Sequence, residues 1–146
     1  MSDKKFMKLA IDEAKKSAVV GDKTPYGAVI VKNEELVSSA YNTVKKDNDP
    51  TAHAEIIAIR KACEILNTYD LTDCTLYTTC EPCPMCFSAS WWGNITQIFY
   101  GISISDVIKK GDRQIDVSSE YLNKNGNSKI SITGGLLRDE CLKLFK

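Results

Sequence analysis

The chain has 146 residues, 43% hydrophobic and 26% charged, which suits one globular domain over 1–146 built on one core. Nineteen basic and nineteen acidic residues cancel, so no basic footprint points to a nucleic-acid partner, and no apolar run approaches the roughly 20 residues of a membrane span. The polar start, Met1-Ser2-Asp3-Lys4-Lys5-Phe6, lacks the apolar core of a signal peptide, which places the protein in the cytoplasm.

Residues 3–20 read as a helix capped by Ser2, with Phe6, Met7, Ala10, Ile11, Ala14 and Ala18 forming one buried stripe. Gly21-Asp22-Lys23-Thr24-Pro25 ends it. Gly27–Val31 and Leu36–Asn42 are apolar runs joined by a short polar turn, a hairpin pattern with Tyr26 and Asn42 at its ends. The charged stretch 44–50 reads as a solvated loop, and Thr51 as the cap of a helix from about Ala52 to Leu66. That puts His53 and Glu55 in a first helical turn. Cys74–Thr79 is a strand by composition, and a helix starts near Pro84 and stops at Gly93-Asn94. Gln97–Tyr100 is the next strand. A short helix near Asp106–Lys110, a loop to 127, a strand at Lys129–Thr133 and a helix at Leu136–Phe145 complete the chain. Strands that alternate with helices imply parallel neighbours with helices on both faces of the sheet.

Six cysteines are present. In a reducing compartment clustered cysteines bind metal or do chemistry rather than pair. Cys63, Cys74 and Cys141 fall on apolar faces or strand ends and read as small buried hydrophobes. Cys83 and Cys86 are three residues apart at a helix start, where thiolates are stabilised. With His53, the chain's single histidine, they form a three-ligand zinc set of the kind that leaves a fourth position for water. Glu55, two residues on, diverges from His53 by roughly 200° on a helix, so it suits proton transfer better than ligation. Alone, Cys-x-x-Cys also fits a redox pair or half of a structural zinc site, and His-x-Glu is often coincidence. Together, each block opening a helix, they favour a catalytic metal site.

His53-Ala54-Glu55 followed by Pro82-Cys83-Pro84-Met85-Cys86 resembles the signature of the zinc-dependent cytidine/deoxycytidylate deaminase superfamily. The resemblance implies an α/β fold, three layers α/β/α around a five-stranded mixed sheet. It also implies one Zn2+ held by His53, Cys83 and Cys86, with Glu55 as proton shuttle. Within the superfamily, Asn42, Asp49-Pro50-Thr51-Ala52-His53-Ala54-Glu55, Ala58-Ile59-Arg60 and Cys80–Cys86 resemble bacterial guanine deaminases most closely. That likeness implies substrate-binding positions at Asn42, Tyr26, Ala54 and Trp92. It also implies a second proton-relay aspartate near Gln114, where Asp112 or Asp116 is the substitute. Family members are commonly homodimers; the apolar Phe87, Trp91 and Trp92 after the zinc cysteines fit part of such an interface or plain core packing equally well. The ending Gly134-Gly135-Leu136-Leu137-Arg138-Asp139-Glu140-Cys141 instead looks like the tRNA adenosine and cytosine deaminase branches. The expected function is hydrolysis of a free base, guanine to xanthine and ammonia. The rivals are cytosine, a pterin or a nucleoside as substrate, adenosine-to-inosine editing in tRNA, and a non-catalytic zinc module.

Overall fold

The computed structural model describes residues 2–19 and 25–145. Helix α1 spans Ser2–Val19 and buries Phe6, Met7, Ala10, Ile11 and Ala14, one stripe at helical spacing. Ser2 is the first helical residue rather than the expected cap; its hydroxyl donates to Glu34 Oε1 at 2.5 Å. The Ala18 side chain and the expected helix stop at 21–24 lie outside the described residues.

Strands β1 (Gly27–Lys32) and β2 (Glu35–Tyr41) form an antiparallel hairpin. Asn33 and Glu34 both adopt positive φ (52° and 62°), which a two-residue turn needs to match strand twist. A Cβ at Gly27 would collide with the Ala10 carbonyl, so glycine there lets α1 lie close on the sheet. The stretch read as a loop contains a short helix, α2 (Val44–Asp47). Helix α3 covers Ala54–Leu66 with His53 as its N-cap. Thr51, expected in that role, instead bonds Asp49 Oδ1 through its N–H (2.9 Å) and hydroxyl (2.7 Å).

Strand β3 (Cys74–Cys80), helix α4 (Pro84–Trp92) and strand β4 (Gln97–Ile102) make a parallel crossover. Then come α5 (Ile104–Lys109), α6 (Ser119–Asn125), β5 (Ser131–Thr133) and α7 (Arg138–Leu142). Three details depart from the sequence reading. Helix α6 stands where a loop was expected. Strand β5 starts late because Asn123 occupies both backbone groups of Ile130, at 2.9 and 2.8 Å. The last helix starts late because Leu137 is left-handed (φ 52°) and cannot sit inside a helix, and it ends at Leu142 rather than Phe145.

The sheet order is β2-β1-β3-β4-β5, antiparallel on the hairpin side and parallel from β3 to β5. Strand residues alternate between two cores. Ala28, Ile30, Leu76 and Ile98 pack with Ala54, Ala58, Ala62 and Phe87 of α3 and α4. Val29, Val31, Tyr77 and Phe99 pack with Phe6, Met7 and Ala10 of α1 and Cys141 of α7. This is the expected three-layer arrangement. The register brings the start of β1 and the ends of β2, β3 and β4 to one edge of the sheet. Among the described residues no helix is long and apolar enough to cross a membrane.

Candidate metal and substrate site

That edge carries the chemistry. Strand β3 runs into Glu81-Pro82-Cys83, and Cys83 becomes the N-cap of α4 with extended backbone (φ −64°, ψ 169°). Pro84 follows at the first helical position, where its missing N–H costs nothing. Cys86 then falls in the first turn and is fully buried. On the facing helix His53 is an extended N-cap (φ −68°, ψ 155°), not a first-turn residue as expected. The helical angle between His53 and Glu55 therefore does not apply, although Glu55 still stands outside the three-ligand group. Asp49 organises the approach to His53. Its carboxylate takes the two Thr51 bonds, and its carbonyl accepts the Ala52 N–H at 3.1 Å. The Thr51 hydrogen bonds, with Arg60 behind them, hold the Asp49 carboxyl below its usual range.

The ligand atoms of His53, Cys83 and Cys86 lie within 4.8 Å of one another. Cys83 Sγ is 3.6 Å and Cys86 Sγ 3.5 Å from Nδ1 of His53. Zinc bonds of about 2.3 Å to sulfur and 2.0–2.1 Å to nitrogen, at tetrahedral angles, set sulfur and nitrogen roughly 3.5 Å apart. The donor set and its spacing thus fit zinc without rearrangement. Of the three donors, Cys83 already favours the ligating thiolate form, and metal binding would displace the protons that Cys86 and His53 hold. The hydrogen bond from Cys86, supported by His53, pulls Cys83 down to about 4 against the effect of burial. The same bond and burial push Cys86 well up. Cys83 in turn raises His53.

Glu55 is 6% exposed. Burial, reinforced by the Cys83 thiolate, pushes its carboxyl up to about 7. Glu55, His53 and Cys83 line a cavity of about 440 Å³, within the usual range for small-molecule sites. Tyr26 and Asn42 line the same cavity. Asn42 is 7% exposed, and its Oδ1 accepts the Val44 N–H at 2.9 Å, so α2 fixes the orientation of the amide. The Tyr26 hydroxyl bonds the Asp112 carboxylate across the cavity, and its ring meets Phe145 at 5.6 Å between centroids. Burial raises the Asp112 carboxyl, opposed by Gln114.

Other expected positions fall elsewhere. Asp116 is exposed and does not line the cavity. Ala54 is fully buried among α3 contacts and also stays off the lining. Trp92 is 73% exposed and faces a separate depression shared with Trp91 and Leu122. Phe87 is 3% exposed and belongs to the core, so it is not interface material. Five residues given no site role from the sequence also line the cavity: Val44, Lys45, Cys80, Glu81 and Arg113. Val44 and Lys45 lie in the stretch that reads as a solvated loop, and Glu81 lies inside the Cys80–Cys86 block with no role of its own.

Residues 1–102 match the family model described as the cytidine and deoxycytidylate deaminase zinc-binding region. The chain is 45% identical over 111 residues to a guanine deaminase of Bacillus subtilis (strain 168), covering 76% of this chain and 71% of that protein. It is 38% identical over 144 residues to a tRNA-specific adenosine deaminase of Buchnera aphidicola subsp. Baizongia pistaciae (strain Bp), covering 99% and 86%. Among solved structures, one from work on A-to-I editing by tRNA:A34 deaminases superposes with a TM-score of 0.83 at 31% identity, over 95% of this chain and 97% of that one. The zinc-fitting His53–Cys83–Cys86 triangle beside a buried Glu55, on this sheet and under this family model, makes the chain a member of the zinc-binding cytidine and deoxycytidylate deaminase family.

Proposed function

We propose that the protein deaminates a free purine base hydrolytically, guanine first, releasing xanthine and ammonia. One observation carries the reading: Glu55, buried and with its carboxyl pushed up to about 7, opens onto the cavity that holds His53 and Cys83. A group poised near the working pH both takes and gives a proton efficiently. Zinc, when bound by His53, Cys83 and Cys86, supplies a Lewis acid that makes water nucleophilic near neutral pH. Glu55 takes one proton from the attacking water and gives it to the ring nitrogen, then takes the second from the added hydroxyl and gives it to the amino group, which leaves as ammonia while the carbonyl forms. Asn42 orients the base through its fixed amide, and the Tyr26 ring bounds it. Asp112, bonded to Tyr26 across the cavity, serves as the second proton-handling carboxylate. The likeness to the Bacillus guanine deaminase supports guanine over smaller rings.

A second reading, adenosine deamination in tRNA, has specific support. The Buchnera relative aligns over 99% of the chain, and the cations Lys45 and Arg113 line the cavity. The test is ammonia release by zinc-loaded protein from guanine, adenine and cytosine, beside adenosine-to-inosine conversion in tRNA. The expected result is guanine turnover that Glu55→Ala lowers by about 10²–10⁴-fold. Inosine formation without base turnover, with steep salt dependence, selects the tRNA reading. Inactivity on every substrate defeats both. The exposed Trp92 marks the surface we propose for a homodimer, and sedimentation of Trp92→Glu as an unchanged dimer counts against that.

A further inference from the structure

Glu81 lines the substrate cavity, yet deamination as described has no task for it. It is 5% exposed, and each carboxylate oxygen is spoken for. Oε1 accepts the Ile104 N–H at 2.9 Å. Oε2 accepts the Ser119 N–H at 2.7 Å and the Ser119 hydroxyl at 2.9 Å. The backbone N–H of Glu81 donates to Ile102 O at 2.7 Å, which ties the residue to the end of β4. All side-chain partners are donors, so the carboxylate acts as an acceptor and not as a proton source.

Ile104 and Ser119 open α5 and α6. Between the helices, residues 112–118 have no regular structure, and Arg113, Ile115 and Asp116 are exposed. This stretch nevertheless supplies Asp112, Arg113 and Gln114 to the cavity wall. It has little apolar burial of its own to fix its place. Its flanking helices are instead both fastened to one carboxylate, two residues before the metal ligand Cys83. Hydrogen bonds to an ionised acceptor are roughly twice as strong as neutral ones. Glutamine could not replace this arrangement, because its amide offers one acceptor oxygen to two groups of donors and turns an N–H against one of them.

We propose that Glu81 is a positioning residue that holds the Asp112–Gln114 wall in register with the metal ligands and so sets which base fits. The specificity part rests on the deaminase reading above; the fastening itself does not. Zinc-loaded wild type, Glu81→Gln and Ser119→Ala are compared by zinc content, by amide hydrogen exchange across 103–119, and by kcat and KM for guanine and cytosine. In Glu81→Gln zinc stays at one per chain, exchange across the segment speeds up about tenfold, and KM for guanine rises about tenfold with little change in kcat, the size of one lost charged hydrogen bond. The preference for guanine over cytosine narrows. Ser119→Ala moves exchange in the same direction by less, and it decides the matter if Glu81→Gln does not fold. Unchanged exchange in the variants overturns the proposal, as does zinc loss from Glu81→Gln without faster exchange. If wild type turns over neither base, the deaminase reading fails while the exchange comparison still decides the fastening.

Discussion

Two sulfurs three positions apart differ sharply in proton affinity. Cys83, at the N-cap and half-buried on the cavity, accepts from Cys86 and is drawn down to about 4; Cys86, buried in the first turn, is driven up. Metal-free protein should therefore carry a Cys83 thiolate at pH 6. Iodoacetamide at that pH should alkylate Cys83 well before Cys63, which is also partly exposed but whose thiol burial raises. Peptide mapping by mass spectrometry reads this directly, and added zinc should block it. Equal labelling of Cys63 and Cys83 would count against a thiolate at Cys83. The metal set was legible from sequence because its determinants are local: a proline after Cys83, a second cysteine one turn on, one histidine in the chain. Glu81 was not legible because its partners lie 23 and 38 residues away. The pocket position at Trp92 came from the likeness alone, with no local pattern behind it, and the side chain instead lines an exposed depression with Trp91.

At the scale of elements, Tyr77 joins β3 to α1. Its hydroxyl donates to Asp3 Oδ1 at 2.5 Å, and its ring stacks on Phe99 at 5.2 Å with 7° between planes. Burial first, then the Asp3 bond, raises the Tyr77 phenol well above its ordinary 10.0. The folded state then holds a proton that the unfolded chain releases, so this contribution is full below about pH 10 and is lost as pH climbs toward the folded value. Tyr77→Phe should cost about 1 kcal/mol at pH 7, one buried hydrogen bond, yet decline less steeply above pH 10. Urea unfolding at pH 7, 10 and 11 measures both effects. Parallel curves for the variant and wild type would remove Tyr77 as the cause. Tyr100, pushed up to about 12, remains in the variant and leaves some slope. Strong periodicity made α1, α3 and the hairpin readable. Helix α6, Ser-Glu-Tyr-Leu-Asn-Lys-Asn, has no such pattern; it is held by the Ser118 cap and the bond of Ser119 to Glu81, neither of which leaves a periodic trace.

At the scale of the molecule, the metal joins two helices that the sheet already supports. Two apolar cores, one on each face, form without any metal ligand as their keystone. Chelation should therefore weaken the fold without abolishing it. Zinc held at 100 times its dissociation constant stabilises by about 2.7 kcal/mol, so a chelator should lower the thermal midpoint by several degrees while leaving far-ultraviolet dichroism at 20 °C nearly unchanged. His53→Ala should make the midpoint indifferent to chelator. Complete unfolding on chelation would mean that the metal, and not the two cores, carries the fold.

The polarity of the sheet has one more consequence. Every cavity residue hangs from the edge where β2, β3 and β4 end, while the Asn33-Glu34 turn, the 67–73 connection and the approach to β4 lie at the other. The molecule is thus a device with a working end and a handle. A tether, dye or fusion partner joined through the Asn33-Glu34 turn leaves the working end facing free solution, and changes of substrate can be sought in 103–119 without disturbing the grip.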